Sequence, residues 1–316
     1  MTIHMNRRQF VAALAAMPFA ARTASVATVP VIDTHIHLFD RRRPQGVPWP
    51  REDDPVPGIS ALPPRYRALV EPFDVVGGIA VEASPWLEDN QWMLEQLETD
   101  PIMVGTVGFL DPGKPDFGRN LERFRQNELF LGIRRDRSDL SMADGLEKAE
   151  FVSDLKLLAD AGLSLDSARQ PPSVWLRLTD RVPSLRLIVP HLPSTPLPEG
   201  RAAVDAYLAD LSELGQRPHV YMKLSAILRR IDGNVSTDLD VYRDGLDRLW
   251  NIFGEDRVLF GSDWPNSLHA APFAEVMRFS REYISSKGPV AEEKVLWRNS
   301  IAAYRWPHRD PAQPRA

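Results

Sequence analysis

The chain has 316 residues, 43% of them apolar and 26% charged, a composition that supports one large core and does not read as disordered. Its formal net charge of -5, with no basic stretch dominating the body of the chain, argues against a nucleic-acid partner and for small-molecule chemistry. There is no cysteine, so disulfides, thiolate zinc sites and cysteine nucleophiles fall away together, and any metal must rest on His, Asp and Glu.

At the N-terminus, Met5-Asn6-Arg7-Arg8-Gln9-Phe10 sets paired arginines ahead of the apolar Val11-Ala12-Ala13-Leu14-Ala15-Ala16-Met17, and Ser25-Val26-Ala27 offers a small-residue cleavage point. Residues 1–27 thus resemble a twin-arginine export signal, which leaves 28–316 as one domain. The apolar stretch is too short to span a bilayer and no other segment reaches the length needed. The expectation is a soluble periplasmic protein, free of the membrane once the signal is removed, in a compartment where a cysteine-free chain avoids oxidation.

Beyond the signal, eight apolar strand-like runs follow one another, at 31–37, 76–82, 102–110, 129–134, 163–166, 185–191, 220–225 and 258–263. Between them lie stretches of helical spacing, such as Phe151, Leu155, Leu158 and Ala159 before Gly162, or Val204, Tyr207, Leu208 and Leu211 before Gly215. This alternation predicts a (β/α)8 barrel of the α/β class. An open doubly wound sheet would carry a glycine-rich phosphate loop after an early strand, whereas Gly77-Gly78 lies inside the second strand. The connection 39–62 is rich in proline and charge and holds Trp49, which suggests a lid over whatever the first strand carries.

The first run ends in His35 and His37, two apart and therefore on one face of a strand. The eighth ends in Asp263, and closure of the barrel makes these two strands neighbours, so the three side chains converge at the C-terminal rim where barrel active sites lie. Two imidazoles and a carboxylate suit one zinc ion with an open coordination position. His191, ending the sixth run, is a further candidate ligand or a hydrogen-bond donor to substrate. His269 follows the last strand and can border the pocket, while His4, His219 and His308 fall in the signal, at the opposite face and in the tail.

Several stretches resemble the amidohydrolase-related proteins, and among them the branch of lactonases that open sugar lactones, muconolactones and pyrone dicarboxylates. They are Ile32-Asp33-Thr34-His35-Ile36-His37-Leu38-Phe39-Asp40, Gly132-Ile133-Arg134, Val189-Pro190-His191-Leu192, Val220-Tyr221-Met222-Lys223-Leu224-Ser225, Leu259-Phe260-Gly261-Ser262-Asp263-Trp264-Pro265 and Asn299-Ser300-Ile301-Ala302-Ala303-Tyr304. Metal-bridged members of the superfamily place a lysine or glutamate on strand four and histidines on strands five and six. Here strand four ends in Arg134-Arg135 and strand five in Leu165-Asp166-Ser167, so the bridge of a binuclear site is missing. The lactonase-like branch similarly carries Gly-Ile-Arg on strand four, and some of its members work with one metal or none. It commonly has Asp-His where this chain has Pro190-His191.

The resemblance implies a hydrolase acting on a lactone or related cyclic ester. Asp263 would activate water, and a divalent metal, zinc by preference, on His35 and His37, with His191 and Asp263 completing the candidate ligand set, would polarise the carbonyl. In a metal-free version those imidazoles, with His191, Arg134 and Lys223, stabilise the oxyanion. Arg134 is expected to hold a substrate carboxylate, with Arg135 and Arg137 in the following loop as lesser candidates. Lys223 and Ser225 alternate on the seventh strand and are expected at the substrate, with Glu82 there too or orienting a histidine. Trp49, Trp86 and above all Trp264 are expected to wall a ring. Two other classes stand beside this reading: a zinc-dependent decarboxylase or amide hydrolase on the same barrel, and an inactive barrel serving as a periplasmic binding protein. A homo-oligomer is compatible with all three.

Overall fold

The computed structural model describes residues 28–135 and 140–315, so the expected export signal, His4 and Arg137 lie outside the described residues. Among these, eight parallel strands form one sheet in chain order: β1 (Val31–Ile36), β2 (Val75–Val81), β3 (Met103–Gly108), β4 (Phe130–Arg134), β5 (Ser164–Asp166), β6 (Arg186–Val189), β7 (Val220–Leu224) and β8 (Val258–Phe260). Each is followed by an outer helix: α1 (Pro63–Val70), α2 (Asp89–Glu98), α3 (Phe117–Phe124), α4 (Ala149–Asp160), α5 (Pro172–Arg181), α6 (Arg201–Leu214), α7 (Asp240–Phe253) and α8 (Phe273–Ser285). The expected (β/α)8 barrel is therefore present, and each expected strand overlaps an observed one. Such strands are covered on both faces, which is why they read as continuous apolar runs.

Closure between β1 and β8 is made by loop ends and side chains. Asp263 N donates to His35 O (2.8 Å), His37 N to Trp264 O (2.7 Å), Thr34 Oγ1 to Phe260 O (2.7 Å) and Ser262 N to Asp33 Oδ1 (2.8 Å). Gly261 permits this contact, since a Cβ there would sit 2.7 Å from the Cβ of His35. The pairing of β1 with β2 shifts register between Asp33 and Ile36. Asp33 turns outward to accept from Tyr66 Oη on α1 (2.9 Å), while His35 turns inward, the kind of local irregularity that re-aims a side chain beside a site.

The interior is stacked in layers. One apolar cluster joins Ile32, Ile79, Val104, Leu131, Ile188, Tyr221 and Leu259 from around the ring to Trp297, Tyr304 and Trp306 of the C-terminal segment, which plugs the N-terminal end of the barrel. Two residues further along the inward faces, Tyr221 gives way to Lys223 and Ser225, and Leu259 to Gly261 and Asp263. The open end is therefore the polar one. The 39–62 connection is not structureless: Phe39–Asp40 pairs antiparallel with Ser60–Ala61 and pins both of its ends.

Candidate active site

Four side chains meet at the open end. Asp263 Oδ1 lies 3.4 Å from His37 Nε2, 3.7 Å from His35 Nε2 and 3.9 Å from His191 Nε2. Asp263 and His191 sit past the last regular residues of β8 and β6, in left-handed backbone at φ 60° and 63°, rather than on the strands expected to carry them. For residues other than glycine that conformation is costly and concentrates at functional sites.

Each side chain is oriented by a defined partner. His37 Nδ1 is 3.0 Å from Val81 O, and because a carbonyl only accepts, that nitrogen carries a proton and Nε2 is the atom turned towards Asp263. Ser225 Oγ lies 2.9 Å from His191 Nδ1 and accepts the His191 backbone N–H at 3.3 Å. The assignment that uses all of these groups has the hydroxyl donating to Nδ1, which leaves His191 Nε2–H as a donor facing the cleft. Asp263 Oδ2 accepts from Asn266 Nδ2 at 2.7 Å.

Burial alone would raise the Asp263 carboxyl, but His191, His37 and the Asn266 amide outweigh it and bring it down to about 2. Burial pushes His191 down to about 4, against the pull of Asp263 and with Arg134 adding to the fall. His35 is lowered well below the ordinary histidine value by burial first and then by Lys223. At neutral pH the centre is one carboxylate among uncharged His35 and His191 rings.

His35, His37 and Asp263 each offer one ligand atom, and those atoms lie within 4.8 Å of one another. Among the described residues, His35 Nε2 and Asp263 Oδ1 are buried without a hydrogen-bond partner, and a cation would satisfy both. Two imidazoles and a carboxylate form a donor set that a divalent ion such as zinc accepts. His191, expected among the ligands, stands outside this group.

The cleft above has a volume of about 700 Å³ and is lined by Trp49, Arg134, Arg169, His191, Asp263 and Asn266, among others. Arg134 reaches it with its Nε 3.8 Å from Glu82 Oε1, so Glu82 stands beside the arginine while the Val81 carbonyl orients His37. Trp49 brings the 39–62 connection over the site, its ring 5.1 Å from that of His37. His269 Nε2 pairs with Asp54 Oδ2 at 2.8 Å and ties that connection to the loop after β8.

Other residues lie elsewhere than expected. Lys223 is wholly buried beneath the histidines, with Nζ 2.7 Å from Thr34 O, 2.8 Å from Asp166 Oδ2 and 3.2 Å from His35 Nδ1. Enclosed by the Thr34 carbonyl, the Asp166 carboxylate and the His35 ring, it supports His35 and does not reach the cleft. Ser225 likewise orients His191. Trp264 is fully buried against Tyr66 (5.3 Å) with the Arg65 guanidinium over its ring, because the chain at β8 turns it outward toward α1. Trp86 is a partly exposed side chain that does not line the cleft, and Arg135 is buried over Phe151, with Asp111 as a partner.

Sequence reasoning passed over Asp166 and Tyr304, whose hydroxyl donates to Asp166 at 2.9 Å, and Asn266 and Arg169. A signal for the first was present. A lone acid on β5 and a lone lysine on β7, in strands covered on both faces, must find each other or another charge.

The amidohydrolase family model matches residues 32–306. An L-fucono-1,5-lactonase of Burkholderia multivorans is 29% identical over 294 residues, covering 90% of this chain and 98% of that protein. Its counterpart from Burkholderia ambifaria is 25% identical over 280 residues, covering 87% and 95%. Among solved structures, an amidohydrolase from Burkholderia multivorans with bound zinc superposes with a TM-score of 0.75 at 23% identity, over 88% of this chain and 100% of that one.

Proposed function

We propose that this chain, which belongs to the amidohydrolase family and is a hydrolase, opens a lactone ring by adding water to the ester carbonyl. The observation that carries the reading is a buried carboxylate held ionised at the floor of the cleft, between two histidines and an amide. The names of the two curated relatives point to a sugar 1,5-lactone as the substrate class.

Asp263 accepts a proton from water as the oxygen attacks the carbonyl carbon. Asn266 holds the second carboxylate oxygen, which keeps the first directed at the incoming water. His191 Nε2–H donates to the oxyanion as it forms, and its neutral ring gives no proton away in the ground state. When the bond from the carbonyl carbon to the ring oxygen breaks, protonated Asp263 returns its proton to the leaving alkoxide, and the product is a hydroxy acid. Arg134, at the cleft wall, holds a carboxylate or hydroxyl of the substrate in register.

His35, His37 and Asp263 are the residues that would hold a divalent metal, with zinc suited to the set, and such an ion supplies Lewis acidity at the carbonyl oxygen. Lys223 and Val81 then act as outer supports of the two imidazoles.

The test is a pH-indicator assay of the purified protein on a panel of sugar 1,5- and 1,4-lactones, with spontaneous opening subtracted. Acid release from a 1,5-lactone well above background is expected. Silence across the panel, with zinc supplied, would refute the reading.

A further inference from the structure

The outer helices α6 and α7 do not close on each other. Between them lies a second cavity of about 340 Å³, walled by Leu192, Leu208, Leu211, Ile227, Leu246 and Leu249, with Leu197 and Val241 also lining it at 45% and 52% exposure. Its two charged lining residues are Arg229, whose guanidinium is already engaged over the Tyr242 ring, and Arg248. The cavity adjoins the catalytic cleft, with Thr195, Pro196 and Tyr207 as their shared wall. Tyr207 is the partition, and its hydroxyl has no hydrogen bond among the described residues, so packing alone holds the ring.

Two further observations mark the cavity as more than a packing gap. Val204, Tyr207 and Leu208 have the spacing of a helix's buried stripe, yet they stay half-exposed on α6, so part of that stripe faces the cavity instead of the barrel. On the facing helix, Gly245 sits in mid-helix, lines the cavity, and would have nothing within 4 Å of an added Cβ. No close approach demands a glycine there, although after proline it is the poorest helix former. What its missing side chain provides is room.

We propose that this groove is an apolar subsite of the active site, and that it takes the hydrocarbon chain of a substrate whose lactone ring lies at Asp263. The inference rests on the lactone reading and narrows it, from a ring that is polar all round to one that bears an alkyl substituent. The volume lies within the range of about 300–1,000 Å³ usual for small-molecule pockets. A chain passing Tyr207 would trade water for leucine walls, each buried methylene adding up to about fourfold in affinity.

The experiment measures kcat/KM on δ-lactones of increasing 5-alkyl length, from methyl to heptyl, for the wild type, Gly245→Leu and Val241→Asp. Gly245→Leu fills the groove with a better helix former, and Val241→Asp puts a charge at an exposed position that tolerates it. The expected result is a rise with chain length in the wild type that flattens in both variants, with the methyl lactone turned over equally by all three. Equal chain dependence in all three proteins, or none in the wild type, would overturn the proposal while leaving lactone hydrolysis standing. Should no lactone be opened, calorimetry with sodium octanoate decides the groove by itself. Binding that is lost in Gly245→Leu supports the subsite, and the absence of wild-type binding removes it. A dimer in the wild type that dissociates in Val241→Asp would assign the groove to a second copy of the chain and also overturn the proposal.

Discussion

Replacing Lys223 by Met strikes the layer on which the active site stands. Lys223 and Asp166 are both fully buried and 2.8 Å apart, and the substitution would leave the Asp166 carboxylate with the Tyr304 hydroxyl alone. Removing one partner of a buried ion pair costs about 3–5 kcal/mol, because the surviving charge stays buried without compensation. That is a large share of the roughly 5–15 kcal/mol that holds a domain folded. Burial already raises the Asp166 pKa, with Lys223 as the main opposing charge, so its loss raises that pKa further. A carboxyl whose folded pKa lies above its unfolded one binds more protons in the native state, so the variant gains stability as pH falls. Urea unfolding followed by tryptophan fluorescence should show the deficit against wild type at pH 8 and a smaller deficit at pH 5. Adding Asp166→Asn should recover part of the loss at pH 8 and remove the pH dependence. A loss below about 1 kcal/mol at pH 8, or an equal loss at both pH values, would refute the ion-pair argument.

Arg134→Ala should raise KM for a carboxylate-bearing lactone by roughly 10–100-fold, the worth of a charge-assisted hydrogen bond, while kcat changes little; an unchanged KM would remove Arg134 from substrate binding. His191 titrates at about 4 in the folded chain against 6.5 when unperturbed, so the unfolded state binds the extra proton first and stability falls as pH drops from 6.5 towards 4. The fall amounts to roughly 3 kcal/mol and should be absent in His191→Gln, as read from urea midpoints across that range; parallel pH curves would refute it. His37→Ala should lower zinc affinity by more than the roughly 10–100-fold that loss of an outer-shell partner costs. Calorimetric titration of the metal-stripped protein checks this, and equal affinity would show that the ion binds elsewhere.

The barrel was legible because its strands are buried on both faces and so stand out as apolar runs between helices. His35, His37 and Asp263 were legible too, since spacing and barrel closure bring them together without any knowledge of side-chain contacts. What the sequence hid were directions. The irregularity in β1 lets Asp33 and His35 face opposite sides despite their spacing of two, and Trp264 leaves the site because the chain turns at left-handed Asp263. Lys223 looked like a substrate group until its partners, 57 residues away in Asp166 and 189 in Thr34, could be seen to surround it. The open face of α6 was equally hidden, because Val204, Tyr207 and Leu208 spell a buried stripe whether or not a neighbour covers them.

The most direct test compares acid release from the sugar 1,5-lactone that the panel shows to be opened fastest, by the wild type and by Asp263→Asn, with spontaneous hydrolysis subtracted and circular dichroism confirming that both are folded. The account predicts catalysis by the wild type and a loss of about 10²–10⁴-fold or more in the variant, the contribution of a positioned general base. Turnover by Asp263→Asn at the wild-type rate would contradict it.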